Sequence, residues 1–326
     1  MPNGFLASDV GATLSCEVRI RPDLLTRIMA SWDAYAAYPQ HDHPNLTAYW
    51  RTHRAYISII RTGQDVVRVS GQSGFYFPGH SYSGLDTVNA LVALVRLGFP
   101  STPPFIKKQR WWSLPSRWNY DWLRALDHVR AVQKEPAAQR ELCTITEIGS
   151  GTGILALAFK RLYPAVQYTC IDLPETLHLA ACFLAAALPD ATFVFPKEFR
   201  EGKSHAADVT FVDSELTGRI PVASQDLYIN TDSMQEMSRP MIQQYFMLMR
   251  RTLMGPRLFY QSNRESKPMD GAMIRPTEFP WTDGDRHLFF RENDFMARNV
   301  VKRHKWHLPY VLLARRKHLR SLTVLA

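Results

Sequence analysis

Glu147-Ile-Gly-Ser-Gly-Thr-Gly153, followed by Ile171-Asp-Leu-Pro174, carries the first chemical signal in the sequence. A strand that ends in an acid and enters a turn with alternate glycines lets backbone N–H groups come close to a ligand. A carboxylate about twenty residues further on can accept both hydroxyl hydrogens of a ribose. Asp172 stands there, with Leu173 beside it at the edge of a nucleoside site. A dinucleotide fingerprint needs a third glycine where this chain has Ile154, which counts against a pyrophosphate-bearing ligand. A nucleoside joined to an amino acid suits the pattern better. S-adenosylmethionine is the expected cofactor, with Gly149, Gly151 and Gly153 under its amino-acid part and Glu147 orienting its ammonium.

The second constellation is Asn230-Thr-Asp-Ser-Met-Gln-Glu-Met237. It follows an apolar run, and loops at the carboxyl ends of parallel strands line the ligand crevice of an open α/β sheet. Asn230, at the strand end, is expected on the cofactor, and Asp232, Ser233, Gln235 and Glu236 toward an acceptor. Ser238 before Pro240 reads as a helix N-cap, and Met234 and Met237 as inward packing. Transfer of a methyl group to a hydroxyl is an in-line displacement that needs alignment and a group to take the proton. Glu236, Asp232 and His80 are the candidates for that role. His80 stands out among eleven histidines because Phe77-Pro-Gly-His-Ser-Tyr82 reads as a lid loop before a helix. A divalent metal held by Asp232 and Glu236 is the alternative. Asp213 is a further site candidate, or a strand-end turn residue.

The stretches 147–153, Ile171-Asp-Leu-Pro-Glu-Thr-Leu177 and 230–237 resemble the sugar O-methyltransferase family, bacterial class I S-adenosylmethionine-dependent enzymes. Its words "DLPE" and "SMQEM" both stand intact here, and the resemblance spans at least residues 142–262. A weaker echo occurs at Tyr49-Trp50 and 71–85. The resemblance implies transfer to a hydroxyl of a sugar or glycosylated acceptor.

These residues need a scaffold. From residue 142 short β-runs alternate with helices: strands at 142–148, 167–172, 191–195, 209–212, 226–230 and 257–261, helices at 154–162, 175–188 and 240–253. Such alternation predicts an α/β fold, a Rossmann-like class I methyltransferase sheet, with 300–305 and 309–314 as a closing antiparallel pair. Residues 1–140 read as a mainly helical acceptor-side cap and 141–326 as the S-adenosylmethionine-binding domain. In the cap, helices are expected at 22–38, with Leu24, Leu25, Ile28, Met29 and Trp32 on one face, and at 46–62, 83–97 and 120–134. A loop is expected at 71–79.

With 46% hydrophobic and 12% aromatic residues, the chain has material for a large core and is not of the disordered class. Its charge of +9 would suit a nucleic-acid methyltransferase. The Asn/Asp-Pro-Pro-aromatic signature of those enzymes is replaced by Asn230-Thr-Asp-Ser, and the basic clusters do not interleave with aromatics, so no nucleic-acid partner is expected. The complete set of acid and glycines speaks against a binding protein that has lost its chemistry. Four cysteines form no CxxC pair; Cys143, Cys170 and Cys182 lie in apolar runs and read as small hydrophobes. Neither a signal peptide nor a membrane-spanning run is read. A cytoplasmic location is the expectation, and a homo-oligomer is left open.

Overall fold

The computed structural model describes residues 13–37, 46–54, 56–72, 120–138, 142–203, 207–299 and 317–326. Its centre is an eight-stranded sheet in the order β12-β13-β9-β8-β4-β5-β7-β6. The strands are β4 (Thr144–Ile148), β5 (Gln167–Asp172), β6 (Phe193–Val194), β7 (Val209–Asp213), β8 (Gln225–Thr231), β9 (Leu253–Arg264), β12 (Arg286–Glu292) and β13 (His318–Val324). The run from β6 to β9 is parallel throughout. β13 runs antiparallel to both β9 and β12. This is a Rossmann-like α/β sheet, parallel at its centre with an antiparallel pair at one edge.

Alternation along the strands sorts the core onto two faces. Ile145, Tyr168, Cys170, Leu227, Ile229, Leu258 and Tyr260 share one apolar cluster with α1 (Pro22–Ala36), α3 (Tyr120–Gln133), α4 (Ile154–Leu162) and α5 (Pro174–Ala187). Ile148, Ile171, Val212, Tyr228 and Phe259 pack on the other face, against α6 (Pro196–Arg200), α7 (Arg239–Thr252) and the hairpin β10 (Lys267–Met269)–β11 (Ala272–Ile274). A sheet covered on both sides explains why its strands read as continuous apolar runs. Sequence bounds for α4 and β5 coincide with the structure, because Pro164 and Pro189 punctuate the helices and the β-runs are short and apolar.

The amino-terminal part departs from the expectation of helices alone. β1 (Thr13–Arg19), β2 (Ser58–Arg61) and β3 (Val66–Gln72) form an antiparallel sheet in the order β1-β3-β2. The helix expected at 46–62 is α2 (Ala48–Arg54) followed by β2. Ile59 there is buried and pairs with buried Val69, so strand pairing overrides the helical spacing of the aromatics. Gly71 and Gln72, expected in a loop, complete β3. The expected helix at 83–97, His80 and its loop, and the expected strand pair at 300–305 and 309–314 lie outside the described residues. The closing antiparallel pair that is described is β12–β13.

Helix α3 belongs structurally to the sheet it precedes. His128 Nδ1 lies 2.9 Å from the Tyr260 hydroxyl, and Arg320 donates to Asp127 at 3.0 Å. These contacts, one to β9 and one to β13, hold the start of α3 near the carboxyl edge of the sheet. Cys170 and Cys182 are buried, whereas Cys143 is exposed at the entry to β4, contrary to its reading as a core residue. Among the described residues no helix is long and apolar enough to cross a membrane.

Candidate cofactor and acceptor site

The turn after β4 folds back onto β5. Gly149 N–H donates to the Ile171 carbonyl at 2.8 Å, and Gly153 N–H to the Ser150 carbonyl at 2.9 Å. Gly149, Gly151 and Gly153 have φ of 75°, 53° and 75°, the left-handed region that glycine enters without steric penalty. The three glycines answer to different neighbours. A Cβ on Gly149 would sit 1.8 Å from Ser233 Oγ, and one on Gly153 would sit 2.7 Å from Leu184 Cδ1. A Cβ on Gly151 would meet nothing within 4 Å. Of the three, Gly151 alone therefore has open space beside it.

Asp172 closes the same turn. One carboxylate oxygen accepts from Gly151 N–H at 2.8 Å and the other from Leu173 N–H at 2.7 Å. Each oxygen has a second lone-pair direction, so the pair can still receive two ribose hydroxyls. Burial pushes the Asp172 carboxyl up to about 7, against the opposing pull of those two N–H groups. Since the protonated acid is a poorer double acceptor, cofactor affinity is expected to fall as pH drops below about 7. The raised value also means the folded state holds the proton more tightly than the unfolded one, so this group's contribution to stability is present at low pH and lost as pH rises through about 7. Titration calorimetry across pH 5.5–8.5 (roughly the window around that value) checks this. Asp172→Asn should bind more weakly and lose the pH dependence; an unchanged pH profile in that variant would remove Asp172 from the ribose.

Glu147 is buried at the end of β4 and accepts from the Tyr168 hydroxyl at 3.0 Å. Burial pushes its carboxyl well above the usual range. Asp213 pairs with Asp172 in register and is buried, accepting from Glu215 N–H and from Arg200, both at 3.1 Å. It serves the strand-end turn.

Asn230 corrects an expectation. Its side chain is fully buried, and its amide donates to the Ile148 carbonyl at 2.8 Å and to Ser233 Oγ at 3.0 Å. Its oxygen accepts from Met234 N–H at 3.2 Å and Asn263 Nδ2 at 2.9 Å. All four hydrogen-bonding positions are taken, so the Asn230 side chain is a clamp between β4, β8, β9 and the acceptor segment, with no capacity left for a cofactor. The clamp explains why Ser233 lies against Gly149.

After the clamp, Asp232 adopts φ of 59°, a left-handed conformation that aspartate tolerates better than most side chains. Its Oδ2 accepts from Arg124 at 2.8 Å and its Oδ1 from His318 Nε2 at 3.1 Å. Burial alone would raise this carboxyl, but the His318 hydrogen bond and the Arg124 charge outweigh it and hold it well below the usual range. Glu236 is buried and ion-paired with Lys267 at 2.5 Å, and the Lys267 ammonium lies 4.6 Å from the centre of the Tyr49 ring. Burial raises the Glu236 carboxyl, with Lys267 opposing. Gln235 is turned inward, its oxygen accepting from Arg264 N–H at 2.7 Å. Met234 is buried, and Ser238 Oγ caps α7 by accepting from Met241 N–H at 3.4 Å, as the sequence predicts.

The structure thus brings Glu147, the glycines, Asp172 and Asp232 to one edge of the sheet, with Glu236 paired just beyond. Among the described residues no three His, Cys, Asp or Glu side chains are grouped to hold a metal. Arg124, His318 and Lys267 are site neighbours that the sequence reading missed. His318 was hidden because the last strand was expected at 309–314, which left this histidine outside any element.

A family model described as lysine methyltransferase matches residues 122–192. Among curated proteins, none matches the chain significantly. Among solved structures, an S-adenosylmethionine-dependent methyltransferase from Aquifex aeolicus is 14% identical, covering 69% of this chain and 100% of its own, with a TM-score of 0.38. One from Leishmania major is 13% identical, covering 73% and 82%, with a TM-score of 0.39. A protein from Pyrococcus horikoshii is 13% identical, covering 70% and 97%, with a TM-score of 0.36. Likenesses at this level say nothing about an acceptor. Sheet order, glycine turn, the acid after β5 and the matched family model agree on one coarse description, an S-adenosylmethionine-dependent methyltransferase.

Proposed function

We propose that this chain methylates a hydroxyl of a sugar or glycosylated small molecule. The observation that carries the reading is the partly exposed Asp232 carboxylate, held by Arg124 and His318 in the segment that lies against the glycine turn. When bound, S-adenosylmethionine supplies the methyl group. The chain's part is to hold the acceptor oxygen in line and to take its proton. A hydroxyl becomes strongly acidic only as its oxygen bonds to carbon. A carboxylate with a low pKa is then a sufficient proton acceptor, provided it is ionised and aimed. The lowered Asp232 carboxyl supports the first condition, and the Arg124 and His318 contacts that fix its position support the second. Glu236, more deeply buried and answered by Lys267, serves as the ion-paired support of the segment. The words "DLPE" and "SMQEM", shared with sugar O-methyltransferases, favour a sugar hydroxyl.

The lysine methyltransferase model favours a second acceptor, a lysine amine. Its match ends at residue 192, before β8 and the acceptor segment, so it covers the cofactor half and none of the residues around Asp232. Methyl-labelled S-adenosylmethionine offered with sugars, sugar nucleotides, glycosylated small molecules, RNA and a lysine-rich protein separates the readings. Label in a methyl ether on a sugar is expected. Label on lysine nitrogen, or on RNA, would overturn the acceptor while leaving the cofactor site intact.

A further inference from the structure

Arg264 is the last residue of β9, at the carboxyl edge of the parallel strands. Its backbone is tied to the acceptor segment: Arg264 N–H donates to Gln235 Oε1 at 2.7 Å, and Gln235 N–H donates to Asn263 Oδ1 at 3.2 Å. Its side chain leaves the sheet on the same face as that of His318, its partner in the antiparallel ladder with β13. His318 is the residue that meets Asp232 at 3.1 Å. Burial raises the Glu236 carboxyl, and the Arg264 charge stands with that of Lys267 against the rise. Burial and the Glu236 charge raise the Tyr49 hydroxyl, and Arg264 opposes there too. Its guanidinium therefore shares the neighbourhood of Glu236 and Tyr49, beside the residue that holds Asp232.

The acids of this edge already have their cations. Asp232 is answered by Arg124 and His318, and Glu236 by Lys267. The Arg264 guanidinium makes no hydrogen bond or ion pair among the described residues, and its Nε is buried without a partner. A guanidinium cannot give up its proton, and a partly buried charge without hydrogen bonds is costly. Arg264 is only partly buried, and of its three nitrogens Nε alone is shut away without a partner, which leaves the two terminal ones to a ligand. We propose that the acceptor carries an anionic group, a phosphate or a carboxylate, and that Arg264 binds it. A planar fork can grip two oxygens of such a group with parallel bonds, whereas an uncharged sugar would leave the guanidinium unanswered. A net charge of +9 favours the approach of an acidic small molecule. This inference rests on the sugar reading and adds to it the charge of the acceptor.

The test titrates three sugars into the full chain by calorimetry with S-adenosylhomocysteine present: glucose 1-phosphate, glucuronate and uncharged methyl glucoside. The wild type should bind at least one of the two acids about tenfold or more tightly than the glycoside, and the acid preferred tells phosphate from carboxylate. In Arg264→Gln, affinity for that acid is expected to fall about 10–100-fold, the range for losing a hydrogen bond to a charged group. Affinity for the glycoside should stay within about twofold, since nothing it touches has changed. Arg264→Lys, which keeps the charge but loses the fork, should lie between, and carries the same comparison should the glutamine variant fail to fold. A wild type with no preference for acids overturns the anionic group alone, as does a folded variant that keeps the preference or weakens all three sugars equally. A wild type that binds S-adenosylhomocysteine and none of the sugars overturns the sugar reading, and this inference with it.

Discussion

Replacing Gly151 by valine is expected to leave a folded protein that no longer binds S-adenosylmethionine. The position has φ of 53°, and a Cβ there points into space with no protein atom within 4 Å. The left-handed backbone costs a valine about 1–2 kcal/mol, which a domain with about 5–15 kcal/mol of stability survives. Its two methyls would then occupy the ligand's place. Gly149→Ala makes the contrast. Its Cβ lands on Ser233 Oγ, so the segment clamped by Asn230 must shift and stability should fall together with binding. Thermal unfolding read beside cofactor titration distinguishes the two variants. Affinity in Gly151→Val should drop by at least about 100-fold, the scale set by losing about 3 kcal/mol of contact. A folded valine variant with wild-type affinity would place the ligand elsewhere on the protein.

The glycine turn and the acid after β5 were legible in the sequence because their constraints are local. Gly149, Gly151 and Gly153 are demanded by backbone conformation, and Asp172 by its position at a strand end, so type and spacing alone mark them. The acceptor half depends on pairings across long stretches of chain. Asp232 meets Arg124 from 108 positions earlier and His318 from 86 positions later. Nothing in the spacing of single charges announces such partners. Asn230 shows the same limit from the other side: an amide at a strand end reads as a ligand contact until the buried groups that saturate it are known. In the amino-terminal part, the helical spacing of Tyr49, Trp50, His53, Tyr56 and Ile60 gave way to strand pairing at β2, whose partner β3 supplies the hydrogen bonds.

The largest effect on turnover is expected from Asp232→Asn, which keeps the shape but removes the charge that receives the acceptor's proton. Turnover at saturating cofactor should fall by about 10²–10⁴, with S-adenosylhomocysteine still bound within a few-fold. Because the Asp232 carboxyl is held below the usual range, the wild-type rate should show no carboxylate limb near neutral pH once cofactor is saturating. Glu236→Gln should behave differently. It leaves Lys267 without its counter-charge in a buried place, and breaking a buried pair costs about 3–5 kcal/mol. The expected signature is a lower unfolding temperature with turnover within about tenfold of wild type, well short of the loss of a general base. The opposite pattern would move the base to Glu236: a folded glutamine variant losing the full factor while Asp232→Asn works normally. Since burial raises the Glu236 carboxyl, that assignment would add a rate limb above the ordinary carboxylate range, which vanishes in the glutamine variant. His80→Ala completes the comparison. A large loss there alone would put proton removal in the 77–82 loop and leave Asp232 as an anchor for Arg124 and His318.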